Sequence, residues 1–219
     1  MSVKTATLIG ATGLIGTYLL DELLNDPVYD TVKILIRRPL EYSHPKLEKK
    51  LVDFADSDSL LVALSNSDVV FCTVGTTQKK VKGDKEAYRK VDYDIPVKAA
   101  RFSKMTGCET FVLVSAVGAN SKSKNFYLHL KGEVEDVVES VGLHSLHIMR
   151  PSVLQGDRKE FRLGEKIGNG VMSALSFLIP SKYKPVHAKV VAKAMMAAAK
   201  GNKEGVFGYE YREIRKLNN

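Results

Sequence analysis

Tyr127-Leu128-His129-Leu130-Lys131 sets a phenol and an ammonium four residues apart. On a helix those positions share a face. A lysine charge beside a tyrosine favours the phenolate, so the pair suits general acid/base work nearer neutral pH. The spacing recurs at Tyr29…Lys33 and Tyr42…Lys46, the latter with Pro45 inside it. Context separates the three. Only Tyr127 follows a strand-ending hydroxyl, Ser115, twelve residues upstream. That hydroxyl can orient a carbonyl oxygen while Tyr127 gives it a proton, and Lys131 can also hold a ribose.

The second constellation is Gly10-Ala11-Thr12-Gly13-Leu14-Ile15-Gly16. It follows an apolar strand and opens a helix. The first glycine permits a sharp turn, the second lets backbone approach a pyrophosphate, and the third lets the helix pack close to the sheet. The helix N-terminus then faces the anion. In a dinucleotide site of this kind, an acid about 20 residues further on would bind the ribose 2′-hydroxyl of NAD. Arg37 and Arg38 stand there, with no acid between Asp30 and Glu41. A guanidinium at that point pairs with a 2′-phosphate and selects NADP. Asp53 and Phe54, after the next strand, are placed to reach the adenine edge.

These residues need a frame. Short apolar runs at Ala6–Ile9, Val32–Ile36, Asp68–Cys72, Thr110–Val114 and Ser145–Met149 read as strands, with Lys50–Asp53 as a short third strand and 206–211 as a last one. Helical spacing falls between them: from Leu14 to Pro27, at 60–64, from Asp84 to Thr106, over 126–141, over 163–178 and from His187 to Lys200. Pro96 is expected to break or restart the long helix, with Asp92 or Asp94 as the new N-cap. Alternation of this kind predicts an α/β fold: a doubly wound, mostly parallel sheet with helices on both faces. Residues 1–219 read as one domain, with 151–203 as a substrate-side cover.

Composition narrows the class. Apolar residues make up 44% and charged residues 26%, which excludes a disordered or fibrous chain. No window is long and apolar enough to predict a membrane span. The start, Met1 to Thr5, has no secretory signal pattern. Cys72 and Cys108 make no disulfide framework and read as reduced thiols, which predicts a cytoplasmic protein. The five histidines have no metal-ligand spacing. Net charge is +8, and 151–203 holds ten basic against three acidic residues. That segment, with Arg158, Lys159 and Arg162, suits a substrate carrying carboxylate or phosphate; simple solubility explains it equally well. No nucleic-acid module accompanies the charge. Oligomeric state is not legible.

Gly10 to Gly16, Ser115, Tyr127 and Lys131 together resemble the short-chain dehydrogenase/reductase superfamily. Cys72-Thr73-Val74-Gly75-Thr76-Thr77 after the fourth strand is similar to the atypical branch. Val91-Asp92-Tyr93-Asp94, Asn125-Phe126-Tyr127-Leu128, Lys131-Gly132-Glu133-Val134-Glu135 and Arg150-Pro151-Ser152-Val153-Leu154 resemble the Tat-interactive-protein-like oxidoreductases. The resemblance implies a Rossmann core binding NADPH, with Val74, Gly75 and Thr76 near the cofactor and Pro151 and Val153 flanking the nicotinamide. Regulatory binding attached to the mammalian relative's N-terminal extension is not expected to carry over. The expected activity is hydride transfer from NADPH to a small-molecule carbonyl or a double bond conjugated to one. The alternative is an NADPH-binding regulator acting through a protein partner.

Overall fold

Burial of β1 (Lys4–Ile9) runs unbroken from Ala6 to Ile9, as a strand covered on both faces requires. The computed structural model describes residues 4–156, 180–201 and 203–218. β1 pairs with β2 (Tyr29–Ile36) on one side and β4 (Val69–Cys72) on the other, both parallel. β3 (Leu47–Leu51) lies outside β2; β5 (Thr110–Val114), β6 (Ser145–Met149) and β9 (Gly205–Tyr209) continue beyond β4. The order is β3-β2-β1-β4-β5-β6-β9, with every pairing parallel. This is the doubly wound Rossmann arrangement. Its strand order reverses between β1 and β4, which opens a crevice at their carboxyl ends.

Helices cover both faces. α1 (Leu14–Asn25), α6 (Ala188–Lys200) and Ile214 of α7 (Tyr211–Lys216) pack with Leu8, Ile34, Phe71 and Met149. α2 (Ser57–Leu64), α4 (Ile95–Met105) and α5 (Phe126–Ser140) pack with Ile9, Leu35, Phe111 and Ile148 on the other face.

Three expectations are corrected or narrowed. The third strand is Leu47–Leu51, not Lys50–Asp53. It is an edge strand whose register is set by pairing with β2, and its side chains from Glu48 to Leu51 are exposed, so no apolar pattern marks it. The long helix is not restarted by a cap before Pro96. α3 (Lys85–Arg89), capped by Asp84, runs through a π turn at Lys90–Asp94 into α4, and Asp94 makes no side-chain cap bond. Residues 188–200, assigned above to the cover, form α6 in the core layer. Lys200 pairs with Asp26, the residue that follows α1, and Lys193 approaches Glu22 of α1 at 4.0 Å. The helix expected at 163–178 lies outside the described residues.

A second, two-strand pairing joins β7 (Leu154–Gln155) to β8 (Val186–His187). The Ser152 hydroxyl also donates to the Lys184 carbonyl. The segments on either side of residues 157–179 thus lie side by side. At Gly156, directly before those residues, a Cβ would touch Leu14 and Tyr18 of α1.

Candidate functional site

The glycine turn is built by close approach. Gly10 has φ +93°, and a Cβ on it would lie 2.7 Å from the Thr73 hydroxyl oxygen. That hydroxyl donates to the carbonyls of Ile9 and Gly10 at 3.1 Å each, so the end of β4 fastens the turn at the strand-order reversal. Thr73 lies in the Cys72–Thr77 stretch, but sequence reading gave it no role at the site. Gly13 takes the N-cap position of α1 with no side-chain cap, and no acid occupies the first helical turn. Ala11, Ile15 and Gly16 are buried, while Thr12 is exposed at the mouth. A first turn without a capping side chain or an acid leaves its N–H groups and the helix dipole to an anion, so the residues present fit a dinucleotide pyrophosphate.

Arg37 and Arg38 follow β2 on the same carboxyl edge. Both are exposed and form no hydrogen bond or ion pair with another described residue. Asp53 and Phe54 follow β3; Asp53 accepts from the Ala55 amide at 2.9 Å, and Phe54 packs against the core.

Of the three Tyr-x-x-x-Lys matches, only Tyr127–Lys131 falls on a helix, as context predicts. Tyr29 and Lys33 lie in β2, where Lys33 donates to the Ser65 carbonyl at 2.5 Å. Tyr42 and Lys46 lie between strands. Asn125 caps α5 by accepting from the Leu128 amide. The preceding loop folds back on the helix: the Asn120 amide donates to the Leu128 carbonyl at 3.0 Å, and a Cβ on Gly132 would sit 2.1 Å from the Ser121 nitrogen. This contact fixes α5 relative to Ser115. The Ser115 amide donates to the Met149 carbonyl and the Val117 amide to the Pro151 carbonyl, so the segments after β5 and β6 run side by side. Pro151 is buried and Val153 is exposed. The Ser115 hydroxyl is buried and has no hydrogen-bond partner among the described residues.

Lys131 is 5% exposed, and Asp92, on the π turn, is 1% exposed. Their Nζ and Oδ1 atoms are 3.0 Å apart, and Asp92 Oδ2 accepts from the Thr76 amide at 2.7 Å. Gly75 lies against the same carboxylate, and Val74 is half-buried beside it. Asp92 was expected as a helix cap; it instead joins the β4 loop to the lysine. In sequence it stands near Pro96, where an acid points to a cap, and within the Val91–Asp94 stretch, whose resemblance gave it no role of its own. Burial alone would pull the Lys131 ammonium down, but the Asp92 carboxylate and the Tyr127 phenol outweigh it, and its pKa stands above the ordinary lysine value. Burial pushes the Cys72 thiol up to about 11 and Cys108 up to about 12, so both are protonated and poorly nucleophilic at neutral pH. His129 is half-exposed and lies 3.6 Å from Glu133, away from Lys131.

One further pair braces this edge. Arg150, directly after β6, donates to both carboxylate oxygens of buried Glu135 on α5, at 3.1 Å from Nε and 2.7 Å from Nη2. Its guanidinium fills the space a Cβ on Gly208 would need.

Fold and glycine turn together define a dinucleotide-binding Rossmann domain. The chain belongs to the NAD(P)H-binding family, whose model matches residues 10–200. It is 35% identical over 199 residues to Protein HTATIP2 of Rattus norvegicus, covering 90% of this chain and 81% of that one. It is also 35% identical over 175 residues to Protein FMP52, mitochondrial, of Candida glabrata, covering 77% and 74%. Among solved structures it is similar to the Bordetella bronchiseptica enzyme WbmH in complex with NAD+, with TM-score 0.75, 18% identity and coverage of 95% and 76%. MoeE5 in complex with UDP-glucuronic acid and NAD gives TM-score 0.73 and 17% identity, with coverage of 94% and 76%. At these identities the solved structures bear on the fold alone.

The comparisons correct one expectation. The fungal relatives from Candida glabrata, Candida albicans and Aspergillus fumigatus are named mitochondrial, which overturns the cytoplasmic assignment. Two thiols without a disulfide framework do not name a compartment. Among the described residues, no helix is long and apolar enough to cross a membrane.

Proposed function

We propose that this chain is an NADPH-dependent reductase of the atypical short-chain type, acting on a small-molecule carbonyl or a double bond conjugated to one. The observation that carries the reading is the buried Lys131 ammonium one helical turn after Tyr127, at the carboxyl edge that the glycine turn also borders. Gly10 to Gly16 would hold the pyrophosphate, and Arg37 and Arg38 would pair with the 2′-phosphate. The segments at 74–76 and 151–153 would line the nicotinamide end. Bound there, NADPH supplies a hydride. Ser115, whose buried hydroxyl has no partner among the described residues, would orient the substrate oxygen. Tyr127 would give that oxygen its proton, and the Lys131 ammonium one turn away would favour the phenolate left behind.

Gly156, at the start of the segment that joins β7 to β8, lies beside Leu14 and Tyr18, next to the start of α1. We take that segment as the substrate-side cover, with a preference for compounds carrying carboxylate or phosphate. Arg158, Lys159 and Arg162, on which that preference rests, lie outside the described residues. Steering by charge would give anionic carbonyl compounds an advantage in kcat/KM at low salt that fades as the Debye length falls below about 10 Å.

Replacing Tyr127 with Phe tests the reaction. NADPH affinity should change little while turnover falls roughly 10²–10⁴-fold, the usual contribution of a positioned acid/base. Lys131→Met should lower both. Full turnover by the Tyr127→Phe protein would place the proton donor elsewhere.

A further inference from the structure

The loops that leave the carboxyl ends of β4 and β5 carry a charge that the reductase reading does not use. Residues 77–86 and 116–126 together hold six lysines against Asp84 and Glu86. The first loop closes on itself: the Lys82 amide donates to the Lys79 carbonyl, the Gly83 amide to Gln78 and the Asp84 amide to Val81. The Asp84 carboxylate is engaged at the start of α3, where it accepts from the Glu86 and Ala87 amides. The second loop is held by its own polar side chains. Asn120 accepts from the Lys122 amide at 2.8 Å, and the Ser123 hydroxyl accepts from the Asn125 amide at 3.1 Å. The two loops meet at Phe126: the Lys85 ammonium lies 5.4 Å from its ring centroid, and Tyr88 packs edge-on at 5.7 Å. Phe126 immediately precedes Tyr127, so the charge stands beside the proposed proton donor.

We propose that these loops form a subsite for a phosphate monoester on a small-molecule substrate, held by Lys79, Lys82, Lys85, Lys122 and Lys124 while the carbonyl reaches Tyr127. The inference deepens the reductase reading and rests on it for the role of Tyr127. All five lysines are exposed, and apart from Lys85 over Phe126 their side chains make no hydrogen bond or ion pair with another described residue. Lys82 has φ +51°, where an L-residue is strained and glycine is not. The loop carries a cation there in spite of that cost. The phosphates of NADPH are assigned to the turn after β1 and the arginines after β2, so they do not account for this charge. A membrane surface is met by apolar or aromatic anchors among the lysines, and a nucleic-acid strand by exposed aromatic rings. No large apolar side chain in either loop is exposed. A compact dianion needs only several ammonium groups converging on its oxygens.

The test reads binding, without turnover. The 15N-labelled full chain is titrated with glycerone phosphate and with neutral glycerone, with and without NADP+, and followed by NMR. Glycerone phosphate should bind at least about tenfold more tightly, with shifts centred on 79–85 and 120–126. The advantage should fade as salt brings the Debye length below about 10 Å. Lys122→Gln combined with Lys124→Gln should lower the affinity for glycerone phosphate at least about tenfold. Arg101→Gln combined with Lys104→Gln removes the same charge from the distal part of α4 and should change it little. Lys82→Gly removes a charge and relieves the backbone, so it should weaken phosphate binding without lowering the melting temperature. A lysine that serves only the shape of the loop predicts an unchanged affinity.

Equal affinities for the two compounds, or shifts confined to the glycine turn, would overturn the proposal. So would an equal loss in the Arg101 and Lys104 variant, which would report net charge and not a site. Sedimentation with phosphatidylserine vesicles through these lysines, with no glycerone phosphate bound, would give the charge to a membrane surface and overturn it too. The two readings fail separately. Phosphate bound at these loops with no carbonyl compound reduced would end the reductase reading and leave the phosphate site standing. Tyr127-dependent turnover of neutral carbonyl compounds, with glycerone phosphate unbound, would end only the phosphate site.

Discussion

A Cβ placed on Gly16 would fall 2.0 Å from the carbonyl oxygen of Gly10. The obstacle is backbone, so it cannot swing aside as a flexible side chain can. Gly16→Ala must push α1 away from the end of β1. The expected cost is about 1–3 kcal/mol of stability, typical of overpacking. NADPH affinity should fall at least about tenfold, because the phosphate-facing helix end moves with it. Thermal melting and calorimetric titration check the two halves. A variant binding NADPH as tightly as the parent would show that the turn tolerates the shift.

The proposed preference for NADP can be tested at the end of β2. Arg37 and Arg38 are exposed and unpaired among the described residues, so either guanidinium is available to a 2′-phosphate. NADPH should bind about tenfold or more tightly than NADH, the effect of roughly 1.4 kcal/mol from one charge-assisted contact. Arg37→Asp should erase or reverse the difference. Equal affinities for the two cofactors in the unmodified protein would remove the basis for the NADP assignment.

Arg150 and Glu135 tie the end of β6 to α5, below the site. Glu135→Gln leaves a partly buried guanidinium with one acceptor where it had two. A loss of about 1–3 kcal/mol is expected in chemical denaturation, less than for a fully buried pair because Arg150 is partly solvated. Replacing both residues by apolar ones of similar size should recover part of it. If the single change is silent, the pair is dispensable for holding the 151–153 segment.

His147 predicts a pH dependence of stability. It is fully buried in β6; Nδ1 lies 2.9 Å from the Tyr209 hydroxyl, Nε2 lies 3.0 Å from the Ser145 hydroxyl, and Phe207 stacks on the ring. Burial lowers its pKa from 6.5 to about 4. Between those values the unfolded chain binds the proton and the folded one does not. Stability from this group is therefore complete above about pH 6.5 and is lost progressively down to about pH 4. His147→Gln should flatten the denaturation midpoint across that window. An unchanged slope would assign the acid sensitivity to carboxylates.

Much of this was legible in one dimension. Strands buried on both faces are continuous apolar runs, so β1, β2, β4, β5 and β6 declare themselves, and the glycine spacing places the turn between β1 and α1. Tyr127 and Lys131 are legible because a helix converts a four-residue spacing into a shared face. The edge strand β3 was misplaced because its exposed side chains carry no pattern and only the pairing with β2 sets its limits. Asp92 is the sharper case. Its sequence neighbours suggest a helix cap, while its partners, Lys131 and Thr76, lie on other elements. Local spacing determined the parallel sheet, the glycine turn and the Tyr–Lys pair, because hydrogen bonding within elements and side-chain periodicity act over a few residues. Which carboxylate meets the buried lysine, which hydroxyl is left without a partner, and which arginine braces α5 were decided only when the sheet brought distant segments to one edge, since a buried charge takes its partner from whatever the packing places within reach.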